Sequence, residues 1–491
     1  MTIRVLGVAL LLGLLAPTPA PADDAPRAGT LREYAKKNQG RFAYGLYIAG
    51  KKVGWMIDEM KLTTFEGKEV ATERHEMLVA FNNEGEKSKL EEKSDTHYSL
   101  EGDGPIVFAE TRTTNDKQTT VRVAVRKGEK MVVTTEAAGH KENRTVPVPK
   151  DTLGLARRLD EWLNGPRKAG DKFDNFSASW DEEEVDSPET VIFKEKKKIA
   201  WGGVPTEVFA VTMEVHGSKS DAELAPDGRL LTGKMGALME IRAEPENLAK
   251  KLDEGGFDLM TASSIPVDKN IGSGRTVEKL TLEATGLDDF TLPESHRQKL
   301  VRRDGKLLLE LSRDHRVEKA SPLTAEEKAR YTRATPSLQS DNPKIRELAK
   351  SIVGDENEPV EAARRLEEWV YKNLRKTYAE NADNALAVLT AKAGDCTEHT
   401  LLFTALARAA GLPAREVGGI VYVAADKPVF GWHAWSEVHD GHQWVSVDPT
   451  WNEVYVDATH IKFSTGSQDL AWVNVLGKLK LKVVDFEKKK K

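Results

Sequence analysis

A single cysteine, Cys396, stands among the 491 residues, and its neighbours favour a reactive thiol. The run Gly394-Asp395-Cys396-Thr397-Glu398 opens a helix. Asp395 can cap it, and Glu398, three residues on, completes an Asp-x-x-Glu variant of the capping box. Leu401, Leu402, Ala405, Leu406 and Ala409 form an apolar stripe, and Gly411 with Pro413 ends the element. Cys396 then falls at the first helical position, where unpaired N–H groups and the positive end of the macrodipole favour a thiolate. The bland alternative is a small hydrophobe under the helix start, but a buried cysteine more often sits mid-helix on such a stripe.

A base and an orienting acid follow downstream. Trp432 to His439 and Gln443 to Asp448 flank Asp440-Gly441, a two-residue hairpin signal. In such a hairpin the numbers of paired residues share one sum, here 881, which pairs His439 with His442, Trp435 with Ser446 and His433 with Asp448. Directly opposed Cβ atoms lie about 4.5–5.5 Å apart. Asp448 can then hold one imidazole nitrogen of His433 and leave the other free as a base. Alone, such a pair reads as structural. Joined to a thiol at a helix start, it makes a Cys-His-Asp triad in chain order, suited to attack on a carbonyl.

Other polar and aromatic residues crowd the same region. His399, His439, His442 and His460 show no zinc spacing, so no metal is expected, and no cofactor. Trp432, Trp435, Trp444 and Trp451 read as core and cleft wall.

Four blocks carry a resemblance: Ala393-Gly394-Asp395-Cys396-Thr397-Glu398, Arg408 to Arg415, Trp432-His433-Ala434-Trp435-Ser436-Glu437, and Trp444 to Thr450. They resemble the transglutaminase-like core of the papain-like cysteine enzymes, over roughly Pro343 to Phe463. The resemblance implies Cys396 as nucleophile, His433 as general base and then acid, and Asp448 as the orienting carboxylate. The lead-in through Trp369, Tyr378 and Asn384 to Leu389 also looks like that family. The backbone N–H of Cys396 is a natural oxyanion donor, and Trp369, Tyr378 and Trp435 are candidates for the second donor or the substrate cleft. No EF-hand loop is visible, so the calcium dependence of animal cross-linking enzymes is not carried over.

These groups need elements to position them. The expected class is α+β: a largely antiparallel β region, then a papain-like core with its nucleophile helix packed on an antiparallel sheet. Period-two runs mark the first part, as in Val121, Val123 and Val125, or Phe209, Val211, Met213 and Val215. Asp227-Gly228 and Asp304-Gly305 are further hairpin signals. One helix is expected over Thr152 to Leu163, capped by Asp151. The opening from Tyr44 to Ile57 resembles, at fold level only, the open half-barrels of periplasmic lipoprotein carriers. The expected divisions are a β domain over 23–255, a further β segment over 256–317, a linker over 318–342, a catalytic domain over 343–480 and a basic tail over 481–491. A fragment starting near Asp341 is expected to fold alone.

Composition bounds the function. With 72 Lys and Arg against 78 Asp and Glu, the net charge of -6 gives no footprint for nucleic acid. One cysteine excludes intrachain disulfides and Cys-rich metal clusters. Residues 1–22 read as a bacterial-style export signal, with Arg4, an apolar run from Val5 to Leu15, and Ala20-Pro21-Ala22 before the cut. That run is too short to span a bilayer, and no integral membrane segment is expected in the mature chain. The expectation is a secreted or periplasmic thiol enzyme acting on a protein or peptide substrate, with the cell envelope as its setting. It would transfer an acyl group from peptide or side-chain amides, chiefly to water. An amine-accepting, cross-linking transglutaminase is the alternative, and a non-catalytic envelope scaffold the rival of another class.

Overall fold

The computed structural model describes residues 29–490, apart from 84–85, 116–117, 138, 181–183, 216, 254–263, 288–289, 379–381, 466–474 and 476. The export signal expected over 1–22 lies outside the described residues. The chain divides near residue 257 into two compact units.

The N-terminal unit is built on one antiparallel sheet of fourteen strands. Its first strand, Gly40–Ile48, lies mid-sheet, paired with Lys51–Phe65 on one side and with Met239–Glu244 on the other. From there the chain steps outward hairpin by hairpin to the edge strand His140–Pro147, then restarts at the opposite edge, Lys172–Ala178, and steps back. Helix Leu153–Asn164 joins the two edges in sequence. Its cap is Thr152, whose Oγ1 accepts from the Leu155 N–H at 3.0 Å. Asp151, expected in that role, instead accepts from the Ala178 N–H at 3.2 Å. The shorter threonine side chain reaches the first turn from one residue later.

The C-terminal unit combines helices with two antiparallel sheets. One sheet holds β1 (Val277–Thr285), β2 (Gln298–Arg303), β3 (Lys306–Ser312) and a late strand, Lys480–Lys488, in the order β2-β3-β1 and then the late strand. Asp304-Gly305 makes the β2–β3 turn with positive φ at both residues, which a two-residue type I′ turn requires. The other sheet holds β4 (Ala414–Val423), β5 (Val429–His439), β6 (Trp444–Asp448) and β7 (Ile461–Thr465). Its order is β6-β5-β4-β7, with Glu453–Val454 beyond β6 and Ile265–Pro266 against the start of β5. The late strand Lys480–Lys488 is β8.

Among the described residues, five helices of this unit follow in sequence: α1 (Ala325–Thr332), α2 (Pro343–Val353), α3 (Pro359–Asn373), α4 (Ala385–Ala391) and α5 (Cys396–Ala409). Helix α5 is more deeply enclosed than a single apolar stripe implies, being buried from Glu398 through Ala407. Leu401, Leu402, Phe403 and Leu406 are fully buried and share one core with Ile345 of α2, Leu366 and Val370 of α3, Val388 of α4, and Val438 and Val447 of the sheet. Each such side chain contributes about 1.5–3 kcal/mol of transfer free energy. The start of α5 is thereby fixed in place.

Three expected boundaries differ from the structure. Of the expected segment 256–317, the described residues 264–317 belong to the C-terminal unit. Asp314 accepts from the Ser446 N–H and hydroxyl at 2.8 and 2.5 Å, Arg313 pairs with Glu453 at 2.8 Å, and Gln298 accepts from the Lys462 N–H at 2.8 Å. The expected linker, 318–342, holds α1 with a Thr324–Glu327 capping box, and Ser321 donates its N–H to the His442 carbonyl at 2.7 Å. The expected basic tail is strand β8 as far as Lys488, with Leu481 and Val483 buried on either side of Lys482. These ties replace the expectation for a fragment starting near Asp341. Such a fragment should be unfolded or aggregated, since each buried partner it loses costs about 1–3 kcal/mol. A fragment starting near Ser264 should show a cooperative melt by circular dichroism; a cooperative melt of the shorter one instead would refute this assignment.

Candidate active site

Cys396 is the first residue of α5 and is 7% exposed. The capping box forms as its residue types require. Asp395 Oδ1 accepts from the Thr397 N–H at 2.7 Å, and Glu398 Oε2 accepts from the Asp395 N–H at 2.8 Å. Gly394 makes room for this. A Cβ there would lie 2.3 Å from the Glu398 Cβ, so no side chain fits without moving the cap.

His433 lies mid-way along β5 and Asp448 ends β6. Their hairpin departs from the expected pairing. Ser436 faces Val447 and His439 faces Trp444, so the sums are 883, two more than expected. Asp440 opens a four-residue loop in place of filling a two-residue turn. Its Oδ1 accepts from the His442 and Gln443 N–H groups, both at 2.7 Å, and only Gly441 of the pair has positive φ. That carboxylate is satisfied at the loop's first position. A shift of two keeps every side chain on its face, so His433 reaches Asp448 diagonally, with Nε2 to Oδ2 at 2.8 Å.

The other ring nitrogen, Nδ1, is left for the thiol, and Cys396 and His433 share a hydrogen bond. Burial lowers the proton affinity of the His433 ring, but the charge and hydrogen bond of Asp448, then those of Cys396, outweigh it and hold the ring at about 10. Burial acts to raise Cys396; the hydrogen bond and charge of His433 and the Ala434 amide are among the groups that bring the thiol below its ordinary value. Burial likewise acts to raise Asp448, and the two imidazoles beside it hold it well below the usual carboxylate range.

The second imidazole is His460, whose place beside the acid the sequence does not show. It is fully buried just before β7, with Nε2 3.2 Å from Asp448 Oδ2 and Nδ1 3.4 Å from Asp457 Oδ1. The remaining oxygen of Asp448, Oδ1, accepts from the Thr450 and Trp451 N–H groups at 2.8 and 3.2 Å. Arg297 fixes the His460 turn by donating to the carbonyls of Asp457 and His460, each at 2.9 Å. His433, Asp448 and His460, and likewise Glu453, Asp457 and His460, bring atoms able to ligate a metal within 4.8 Å of one another. Both ring nitrogens of His460 are engaged by carboxylates in these groups. The other three histidines each meet a backbone carbonyl: His399 Nδ1 that of Asp395, His439 that of Ser321 and His442 that of Val317.

The aromatic candidates separate. Trp435 is fully buried beneath His433, 6.1 Å between ring centroids, so it is floor and not cleft. Trp369 is partly buried against the apolar core, and Tyr378 is half-buried just beyond the short strand Arg375–Lys376. The half-buried ring stacked on His433 is Trp451, at 4.9 Å and 27°. Glu367 of α3 was not expected here. It is 2% exposed, Oε1 has no partner among the described residues, and burial, then the Asp448 charge, pushes it up to about 8. A carboxyl sharing a helix face with Ala363, Val370 and Leu374 was a readable signal.

The chain is similar to known proteins over part of its length. Residues 346–449 match the family model of the transglutaminase-like superfamily. Over 103 residues the chain is 35% identical to an uncharacterised protein of Haemophilus influenzae, which is 20% of this chain and 27% of that relative. The chain thus spans about a quarter of the length of the curated relative it matches. A proposed cysteine protease from Cytophaga hutchinsonii aligns at 15% identity and a TM-score of 0.30, over 44% of this chain and 86% of the other. A proposed protease from Parabacteroides distasonis aligns at 11% and 0.19, over 70% and 69%. Scores that low carry no argument. The segment that matches the transglutaminase-like family model, 346–449, contains Cys396, His433 and Asp448.

Proposed function

We propose that this protein is an exported, thiol-dependent acyl-transfer enzyme acting on peptide or side-chain amides. One observation carries the reading: a thiol at a helix start shares a hydrogen bond with an imidazole whose far nitrogen is held by a buried carboxylate. The Cys396 thiolate attacks the amide carbonyl carbon, and the C=O electron pair moves onto oxygen. The first-turn N–H of Cys396 is positioned to stabilise that oxyanion. As the tetrahedral intermediate collapses, the C–N bond breaks and the His433 imidazolium gives its Nδ1 proton to the leaving amine, leaving a thioester. Neutral His433 then takes a proton from the acceptor as it attacks the thioester, and the thiolate–imidazolium pair returns. Asp448 keeps the ring oriented and its charged form stable.

Water is the favoured acceptor because it reaches any open cleft; an amine acceptor, which would cross-link proteins, is the second reading. A scaffold without turnover is the rival class, and the intact hydrogen-bonded set speaks for chemistry. Incubating the full chain with a bacterial cell-envelope extract, quenching in acid and analysing the Cys396 peptide by mass spectrometry should reveal a labile acyl adduct, lost on treatment with hydroxylamine. No adduct across a time course, with the thiol still free and unmodified, would favour the scaffold.

A further inference from the structure

Two cations, on segments tied to the nucleophile turn and to Trp451, have no carboxylate partner among the described residues. Lys376 lies on the short strand Arg375–Lys376, which pairs in parallel with Ala393–Gly394; Lys376 faces Gly394, two residues before Cys396. The Arg375 and Thr377 N–H groups lock this register by donating to the carbonyls of Lys392 and Gly394 at 3.0 and 3.1 Å. The lysine is therefore held beside the nucleophile turn by backbone. Its side chain is partly exposed, with the ammonium over the Tyr371 ring at 4.9 Å.

On the imidazole side stands Arg275, on the single turn Gly274–Thr276 before β1. Its guanidinium donates to the carbonyls of Trp451 and Asn452, the latter at 3.0 Å. Trp451 is the ring stacked on His433. Arg275 thus holds the backbone that carries Trp451, and its side chain is exposed.

Some cations in this unit have carboxylates, as Arg313 has Glu278 and Glu453, Arg415 and Lys462 share Glu437, and Arg316 has Asp440; others, such as the buried Arg297, are met by backbone carbonyls. Among the described residues, no carboxylate lies within 4.0 Å of Lys376 or Arg275. The two also feel each other: burial is the first cause lowering Lys376, opposed by Asp448, and the Arg275 charge adds to the lowering. The nearby Glu367 is no counterion at neutral pH, being raised to about 8, and Asp448 is already shared by two imidazoles. Like charges kept together beside a cleft, with no acid supplied, are complementary to an anion that arrives.

We infer that Lys376 and Arg275 form a carboxylate-recognising rim, so that the preferred substrate is an amide bearing a carboxylate beside the scissile bond. This rests on the reading of Cys396 as the nucleophile. The carboxylate would come from an acidic side chain or from a free chain terminus.

The test needs no substrate. Iodoacetate and iodoacetamide alkylate a thiolate in the same way, sulfur displacing iodide, and differ in charge; with one cysteine in the chain the product is unambiguous. The rate ratio, iodoacetate over iodoacetamide, should fall by about fivefold in Lys376→Gln at low salt, an effect of the size one nearby surface charge exerts. Raising the ionic strength should shrink the wild-type ratio more than the variant's. Arg275→Gln should lower the ratio too. Protection of the thiol from iodoacetamide by N-acetylglycine or by N-acetylaspartate α-amide then shows which carboxylate is read. An unchanged ratio in Lys376→Gln, with equal salt dependence, overturns the rim. A sluggish iodoacetamide reaction in wild type overturns the nucleophile instead, and the two failures are thereby told apart.

Discussion

Cys396→Ala should reduce turnover by at least about 10⁴-fold, to the background of a cleft without a nucleophile. The fold should survive, because alanine is a good helix residue and the Asp395–Glu398 capping box does not use the sulfur. What the substitution removes is the atom that forms the bond, together with the partner of His433. Turnover and the thermal midpoint, measured on one preparation, separate the two contributions. Turnover within tenfold of wild type would end the thiol mechanism. A collapse of the midpoint would mean that the sulfur is structural.

For Asp448→Asn a loss of about 10²–10⁴-fold in kcat is expected, the upper figure being that of the serine triad. Here the acid has four donors around it: Oδ1 accepts from Thr450 and Trp451, and Oδ2 faces His433 and His460. An asparagine can keep the two backbone bonds through its oxygen, but its NH₂ then meets two imidazoles. It also removes the charge that sustains the His433 imidazolium. His433, held at about 10 in the wild type, should release its proton at lower pH, and the thiol, with less positive charge beside it, should ionise at higher pH. The pH window of the reactive pair narrows from both ends. Alkylation of Cys396 by iodoacetamide across pH 5–10 reads the acid limb directly, and it should move upward in the variant. Asp440→Asn is the control. Its oxygen still serves the His442 and Gln443 N–H groups, and it gives up only the pairing with Arg316, an exposed side chain. If Asp448→Asn matches wild type, or the control is the more damaging of the two, Asp448 is not the third member.

The site was legible where its causes are local. Asp395 and Glu398 lie three residues apart, and capping chemistry acts over that distance, so the start of α5 could be placed from sequence. The hairpin was half legible. Asp-Gly fills a two-residue turn at Asp304-Gly305 but opens a four-residue loop at Asp440-Gly441, and the dipeptide alone does not distinguish these roles. The side-chain N–H acceptances of Asp440 decide it, and they depend on residues beyond the pair. Because the error was two residues, the face was right and His433 still met Asp448. His460 and Arg297 were illegible as parts of the site, since their contacts join segments brought together only by the fold. Strand β8 was hidden differently: Leu481 and Val483 alternate correctly, but Lys480, Lys482 and the run from Lys488 resemble a solvated tail.

The pairing of β8 with β1 sets an order of events during folding. Strand β1 is central to its sheet, with β3 on one flank and β8 on the other, and roughly 200 residues separate the partners. Until β8 emerges and docks, one flank of β1 presents a row of unpaired backbone groups, a template for any other extended chain. The helices and the nucleophile turn can assemble earlier, through contacts nearer in sequence. The thiol is thus in place before its own unit is sealed, and the slow, aggregation-exposed step of biogenesis is capture of the last strand.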